Sequence, residues 1–176
     1  MIIAETDRLL IRLVSPDDHE ALTGVFGDAE VMRFGPGRQG PAWIHDWLGR
    51  VRQSYRQHGY GHWALIEKSS QTLIGYCGLV YKPDVNGRPE IEIGYRLAHA
   101  FWGRGYATEA VAVVRDYAFS VLGLTRLIAI IDPGNTASIR VAEKAGLRRE
   151  GEVMFEGYDH PDDIYSIEQQ RLPSSD

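Results

Sequence analysis

Two glycines, Gly103 and Gly105, stand where a strand-like segment meets a helix-like one, and this arrangement can bind an anion. Upstream, residues 90–97 alternate between apolar and polar side chains, as a strand does, and downstream apolar residues recur at helical spacing over 107–121. The first N–H groups of a helix have no partner within it, and glycine lets an anion approach them closely. We therefore interpret the turn as a pyrophosphate-binding site. The alternative is that these glycines only interrupt a loop.

The other reactive side chains favour neither a metal site nor a protein nucleophile. Cys77, the one cysteine, lies in an apolar strand-like run, which is typical of a buried, inert thiol. The six histidines lack metal-ligand spacing and there is no cysteine pair, so we expect no metal. The acidic residues Asp159, Asp162 and Asp163 could attract a cationic amine or could belong to a solvated turn.

The elements that must position the glycine turn follow from hydrophobic periodicity and turn residues. Strands are predicted over 8–14, 62–67, 72–81, 90–97, 125–131, 148–155 and 163–169, and helices over 15–27, 42–55, 107–121 and 135–145, with a short helical piece at 28–32. Turns at 68–71 and 82–89 join three strands into an antiparallel meander. A helix separates the strands 90–97 and 125–131, which is the pattern of a parallel crossover.

Composition limits the class of protein. The 176 residues, 44% of them hydrophobic, are enough for one sizeable core, and no linker-like stretch divides them, so we expect a single domain over 1–176. A formal net charge of -5 argues against nucleic acid as the main partner. Because there is no leader-like N-terminus or membrane-length apolar run, we expect a cytoplasmic protein without a membrane partner.

Four segments resemble the GNAT acyltransferases. Residues 102–107, Trp-Gly-Arg-Gly-Tyr-Ala, follow that family's acetyl-CoA motif Arg/Gln-x-x-Gly-x-Gly/Ala except at its first position. The wider run 101–110 and the segment 135–147 are similar to the RimJ/RimL subgroup of protein N-terminal acetyltransferases, as are 6–12 and 73–78. The resemblance covers nearly the whole chain. It implies an α/β (α+β) fold with a mixed, mostly antiparallel central sheet and a β-α-β acetyl-CoA-binding core flanked by helices.

The resemblance implies acetyl-CoA as cosubstrate and places its contacts. Backbone N–H groups of 103–107 would hold the pyrophosphate, and pantetheine would lie like an added strand beside 95–97. Asn135 would contact pantetheine, although an Asn after Asp-Pro-Gly is equally an N-cap. The cofactor-binding residues predicted in this way are Tyr95, Arg96, Leu97, Gly103, Arg104, Gly105, Tyr106, Ala107, Thr108, Asn135 and Ser138.

The resemblance also implies acetyl transfer to a primary amine, above all a protein or peptide N-terminal α-amine, by direct attack. Such a reaction requires a base for the amine and an acid for the departing thiolate. The subgroup's Glu-Ile-Gly-Tyr strand matches 92–95, which makes Glu92 the predicted general base, acting directly or through water, with Glu90 as the reserve. Many GNAT enzymes use a helix tyrosine as the acid, but that position is Ala142 here, and the subgroup suggests Ser138 instead.

Several alternatives stay open. The acceptor could be a small amine such as an aminoglycoside or a polyamine, and the missing tyrosine leaves room for a non-catalytic acyl-CoA sensor. A dinucleotide-binding module would need a third glycine where Thr108 stands, and the Lys-Ser/Thr pair of a P-loop is absent. The exposed aromatic content and the final strands are compatible with a homodimer. Residues that could line an acceptor pocket, or equally a half-buried strand face, are Tyr60, His62, Trp63, Tyr81, Tyr158 and His160.

Overall fold

The computed structural model describes residues 1–169, and within them the chain forms one mixed sheet of eight strands. The strands are β1 (Ile2–Glu5), β2 (Leu9–Leu13), β3 (His62–Glu67), β4 (Thr72–Val85), β5 (Arg88–Leu97), β6 (Arg126–Ile131), β7 (Arg148–Val153) and β8 (Asp162–Glu168). Their spatial order is β1-β2-β3-β4-β5-β6-β8-β7. Every neighbouring pair is antiparallel except β5 and β6, which confirms the predicted fold class. The part of the predicted domain beyond residue 169 lies outside the described residues.

Helices cover both faces of the sheet. They are α1 (His19–Phe26), α2 (Pro41–His58), α3 (Tyr106–Ser120) and α4 (Thr136–Lys144). On one face, Phe26 of α1 and Trp47 of α2 pack on Tyr76. On the other face, the apolar stripe of α3 packs against Trp63 and Leu127, which are almost fully buried. Within the described residues, no helix has the length and apolar character needed to cross a membrane.

β5, α3 and β6 form the predicted β-α-β unit. The two strands run parallel, and their ladder has a single register pair, Glu92 with Ile128. On its other edge β5 is paired with β4 along nearly its whole length, from Arg88 to Leu97. The last residues of β5 therefore present a free backbone edge on the side of β6, where the pairing has stopped.

The structure differs from the sequence prediction in two elements and corrects the ends of two strands. β1 was not predicted, because its short apolar run has no alternation of its own and it forms by pairing with β2. Residues 29–36 form turns rather than a helical piece. β4 continues to Val85, so the second turn of the meander shrinks to Asn86 and Gly87, which both have positive φ angles. β7 ends at Val153 because the chain then enters the turn that leads to β8.

The substitution Gly75→Ala tests how closely β4 packs against the end of β5 that β6 leaves unpaired. An added Cβ would lie 2.1 Å from the carbonyl oxygen of Arg96 and 2.8 Å from Cα of Leu97, and these backbone atoms can yield only if β5 shifts. We expect the free energy of unfolding in urea to fall by about 1–3 kcal/mol. The matched change Gly49→Ala in α2, where an added Cβ has nothing within 4 Å, should raise it by about 0.5–1 kcal/mol. Equal stability of the two variants would contradict this account.

Candidate functional site

The glycine turn forms the N-terminal end of α3, as the sequence predicted. Gly103 and Gly105 have φ angles of 73° and 82°, in the left-handed region that glycine adopts without strain. Gly105 directly precedes the helix, and no side chain of residues 1–169 caps the first turn. The N–H groups of that turn are therefore free, and the positive end of the helix dipole lies at the same point. This end of α3 can accept an anion.

Contacts with β3 and with the loop between β1 and β2 hold the turn in place. Nε of Arg8 donates to Oε2 of Glu109 at 2.8 Å, on the first turn of α3. The ring of Tyr106 points into the core, and its hydroxyl donates to Oε1 of Glu67 at 2.7 Å. Hydrogen bonds from Ser70 and from Tyr106 lower the pKa of Glu67 to about 2. Glu67 is therefore a carboxylate at neutral pH and anchors the start of the helix.

A cleft of about 360 Å³ runs from the glycine turn to the start of α4. With the exception of Arg104, every residue predicted to bind the cofactor lines it. Arg104 lies outside because its guanidinium sits over the ring of Phe101, 5.3 Å from the centroid, and its backbone carbonyl accepts a hydrogen bond from Arg8. The predicted residues in the lining are Tyr95, Arg96, Leu97, Gly103, Gly105, Tyr106, Ala107, Thr108, Asn135 and Ser138.

The start of α4 is tied to β5 across the cleft. The hydroxyl of Tyr95 donates to the carbonyl oxygen of Ser138 at 2.8 Å. Oδ1 of Asn135 accepts from the backbone N–H of Ser138 at 3.1 Å, so the N-cap interpretation of Asn135 is confirmed. The side chain of Ser138 lies beside the Tyr95 hydroxyl, with which it forms a side-chain hydrogen bond, and the residue lines the cleft.

A second cavity, of about 310 Å³, opens on the α1 and α2 face of the sheet, where β5 and β6 no longer pair. Its floor comes from residues 92–96 of β5 and 129–131 of β6. It meets the first cleft at the start of α4, so a ligand in one can touch a ligand in the other. The residues that line both are Phe34, Tyr95, Arg96, Asn135 and Ser138.

The two strand carboxylates singled out in the sequence have different surroundings. Glu92 lines the second cavity and pairs with Nζ of Lys82 at 3.0 Å. Glu90 lies on the same strand face but outside both cavity linings, and it is held by Arg88 at 2.8 Å and Arg126 at 3.1 Å. Glu90 therefore has a structural role, and of the two only Glu92 can reach a ligand.

Tertiary structure brings Asp132 into the second cavity beside Asp162, one of the acidic residues that the sequence suggested could attract a cationic amine. Oδ2 of Asp132 lies 3.1 Å from Nε2 of His160, and Oδ1 of Asp162 is buried without a hydrogen-bond partner within the described chain. Burial and then the charge of Asp132 raise the pKa of Asp162. One atom from each of these three side chains lies within 4.8 Å of the others, a spacing that could hold a cation. Histidine spacing cannot reveal such a cluster, because Asp132 follows β6 whereas His160 lies just before β8 and Asp162 at its start.

Among the side chains considered for an acceptor pocket, His62 alone lines the second cavity. Its ring centroid lies 5.6 Å from that of Trp47 and 4.7 Å from that of Tyr76. A Cβ at Gly94 would come within 3.2 Å of Nε2, so the glycine leaves room for the imidazole. Burial, reinforced by the nearby cations Lys82 and Arg96, lowers the pKa of His62 to about 3. The others, Tyr60, Trp63, Tyr81, Tyr158 and His160, lie outside this lining.

Opposite pKa shifts are expected for His62 and His160. Burial holds the pKa of His62 far below 6.5, whereas the hydrogen bonds that the carboxylates of Asp159 and then Asp132 accept from His160 raise the pKa of His160 above 6.5. In an NMR pH titration, His62 should stay neutral between about pH 5 and 8, and His160 should titrate above its ordinary value. Because only the unfolded chain then binds a proton at His62, this residue lowers stability as the pH falls below 6.5. Asp132→Asn should lower the pKa of His160 and leave His62 unchanged; a His62 that titrates near pH 6.5 would contradict the burial argument.

Comparison with known proteins gives this geometry a family. Residues 8–148 match the family model for the acetyltransferase (GNAT) domain. The chain is 31% identical to the uncharacterized N-acetyltransferase YoaA of Bacillus subtilis, covering 96% of this chain and 98% of that protein. A GNAT-family acetyltransferase structure from Bacillus anthracis has a TM-score of 0.78 and 29% identity, with 96% and 98% of the two chains covered. RimL, a ribosomal L7/L12 α-N-protein acetyltransferase solved with coenzyme A, shares the fold at a TM-score of 0.80 and 17% identity over 96% and 98% of the chains. The chain therefore belongs to the GNAT family of acetyl-CoA-dependent acetyltransferases.

Proposed function

We propose that the enzyme transfers the acetyl group of acetyl-CoA to the α-amine of a protein or peptide N-terminus. The observation that carries this proposal is the junction of the two cavities beside Tyr95 and Ser138. A donor in one cavity meets an acceptor in the other at that point. The amine attacks the thioester carbonyl carbon, a C–N bond forms, the C–S bond breaks, the nitrogen loses a proton and the CoA sulfur gains one. No protein nucleophile is required, in keeping with the buried Cys77, where burial raises the pKa of the thiol.

The first cleft suits coenzyme A in charge and in hydrogen bonding. The free N–H groups after Gly105 match the negative charge of a pyrophosphate. Pantetheine carries two amides, and residues 95–97 lie on the edge of β5 that β6 leaves free, where the Leu97 carbonyl already accepts from Nε1 of Trp102 at 2.8 Å. RimL, which has the same fold, was solved with coenzyme A, and this supports coenzyme A as the ligand of the first cleft.

Glu92 takes the part of the general base. It is the carboxylate of β5 that lines the second cavity, which we call the acceptor cavity. It lies on the strand that leads to the junction of the two cavities. Lys82, at 3.0 Å, is itself a primary ammonium, so the site already holds the kind of group that an incoming amine presents. An acceptor ammonium displaces Lys82 from Glu92 and loses its proton to the carboxylate, directly or through water.

Ser138 takes the part of the acid. It lines the cleft, and its backbone is fixed by Asn135 and Tyr95. A hydroxyl held in this way can donate to the departing sulfur. This arrangement serves in place of the helix tyrosine, whose position is occupied by the buried Ala142.

A small amine is the second candidate acceptor. A protein α-amine is supported by the fold shared with RimL, which is named for that activity. A polyamine or an aminoglycoside is favoured by the carboxylates of Glu92, Asp132 and Asp162 in the acceptor cavity, because they attract cations. We place the reaction in the cytoplasm, since the chain has one cysteine and it is buried.

Calorimetric titration followed by a thiol-release assay tests the function. Purified protein should bind acetyl-CoA and not NADH, and it should release free thiol when an acceptor is present. Mass spectrometry of peptides and small amines then identifies the acetylated nitrogen. Binding of acetyl-CoA without acetylation of any amine would support the sensor alternative, and acetylation of polyamines alone would replace the peptide acceptor.

Glu92→Gln should lower kcat by about 10²- to 10⁴-fold, because the amide cannot take the proton of the amine. The affinity for acetyl-CoA, measured by calorimetry, should stay unchanged, since Glu92 lies outside the first cleft. Glu20→Gln, an exposed carboxylate on α1, is the matched control and should leave kcat unchanged. Wild-type turnover by the Glu92 variant would remove this residue from the role of base.

Ser138→Ala should lower kcat by about 10- to 100-fold, because the thiolate then leaves without a charge-assisted hydrogen bond. The helix start should survive, since the Asn135 cap bonds the backbone of Ser138 and not its side chain. Ser120→Ala, at the exposed end of α3, is the control. Thiol release at saturating acetyl-CoA measures the effect, and an unchanged kcat would leave Ser138 with a structural role only.

A further inference from the structure

The side chain of Arg96 lies on the face of the sheet that α1 and α2 cover, where the acceptor cavity opens. Its neighbours Tyr95 and Leu97 pack toward α3 and α4, so the alternation of β5 sends Arg96 to the opposite face. There its Nη1 lies 3.1 Å from Sδ of Met32, and a Cβ at Gly35 would come within 3.0 Å of its Nη2. The guanidinium therefore lies between β5 and the loop that connects α1 with α2, at the junction of the two cavities.

Arg96 differs from the other cation of the acceptor cavity in lacking an anionic partner. Lys82 pairs with Glu92, and Asp132 pairs with His160. Within residues 1–169, the guanidinium of Arg96 forms no ion pair, and its one polar contact is with the Met32 thioether. Guanidinium has five N–H donors and a thioether is a weak acceptor, so most of its hydrogen-bonding capacity is unused. A half-buried cation in this state favours binding of an anion.

We propose that the acceptor carries a carboxylate close to its reactive amine and that Arg96 binds this carboxylate. This inference rests on the proposed function, because it assumes an amine acceptor in the second cavity. Coenzyme A does not supply the anion: pantetheine is uncharged, and the anion site for its pyrophosphate is on α3, on the other face of the sheet. Glu92, Asp132 and Asp162 line the same cavity and repel a multiply charged phosphate more than a single carboxylate. A planar carboxylate also matches the fork of the guanidinium.

Acetylation of matched acceptors tests the proposal. At saturating acetyl-CoA, peptide amides that begin with Asp are compared with those that begin with Asn, and free alanine is compared with alaninamide. The first pair tests a side-chain carboxylate and the second an α-carboxylate. In one of the two pairs, we expect the acceptor with the carboxylate to have a kcat/KM about 10- to 100-fold higher than that of its amide, mainly because its KM is lower. Arg96→Gln should bring that ratio to about one, Arg96→Lys should restore part of it, and acetyl-CoA affinity should persist in both variants.

Arg52→Gln removes the same charge from an exposed position of α2 and should keep the wild-type preference. A binding measurement in the presence of coenzyme A needs no turnover. Its ligands are the acetylated products: the N-acetylated Asp and Asn peptide amides, acetylalanine and the amide of acetylalanine. Acetylation of acids and amides with equal kcat/KM would overturn the proposal and leave the proposed function intact. Carboxylate-selective binding that Arg96→Gln abolishes, without acetylation of any amine, would support the role of Arg96 and refute the proposed function. A preference that persists in Arg96→Gln would overturn the proposal.

Discussion

β5 and β6 run parallel and pair at Glu92 and Ile128, and both cavities lie beyond the end of this short ladder. A backbone edge left without partners is costly unless water or a ligand satisfies it. The bond from the Tyr95 hydroxyl to Ser138 spans the cleft at the start of α4. The opening that separates the strands is therefore also the proposed binding site, and its free backbone groups suit a ligand that carries amides of its own.

The glycine turn can serve as an anion site only if the start of α3 is held still. Two carboxylates in different surroundings do this: Glu67, which accepts from Tyr106, and Glu109, which accepts from Arg8. One contact reaches β3 and the other reaches the loop between β1 and β2, so the turn is fixed by segments distant in sequence. Gly105 contributes conformation alone, because its left-handed φ angle directs the chain into the helix without a side chain over the free N–H groups.

The acceptor cavity combines charges of both signs, and their pairing determines which of them meet a ligand. Lys82 and Glu92 neutralise each other at rest, whereas Arg96 and the buried oxygen of Asp162 have no ion-pair or hydrogen-bond partner of opposite charge within residues 1–169. His62 adds no charge at neutral pH because burial keeps its imidazole neutral. A cavity of this kind recognises an acceptor by the position of its charges more than by apolar area.

The sequence by itself predicted most of the elements and the glycine turn. Alternation, helical spacing and the glycines at 103 and 105 are local properties, so they predicted the described strands other than β1, as well as α3 and the turn, and the Asn135 cap followed from its neighbours. Tertiary structure decided the rest. In the folded chain, Glu90 pairs with Arg88 whereas Glu92 pairs with Lys82. The guanidinium of Arg104 lies over the ring of Phe101. The side chains of Asp132, His160 and Asp162 lie close together. These outcomes depend on which strands become neighbours, and β6 pairs with β8 rather than with β7 through contacts between residues far apart in the chain.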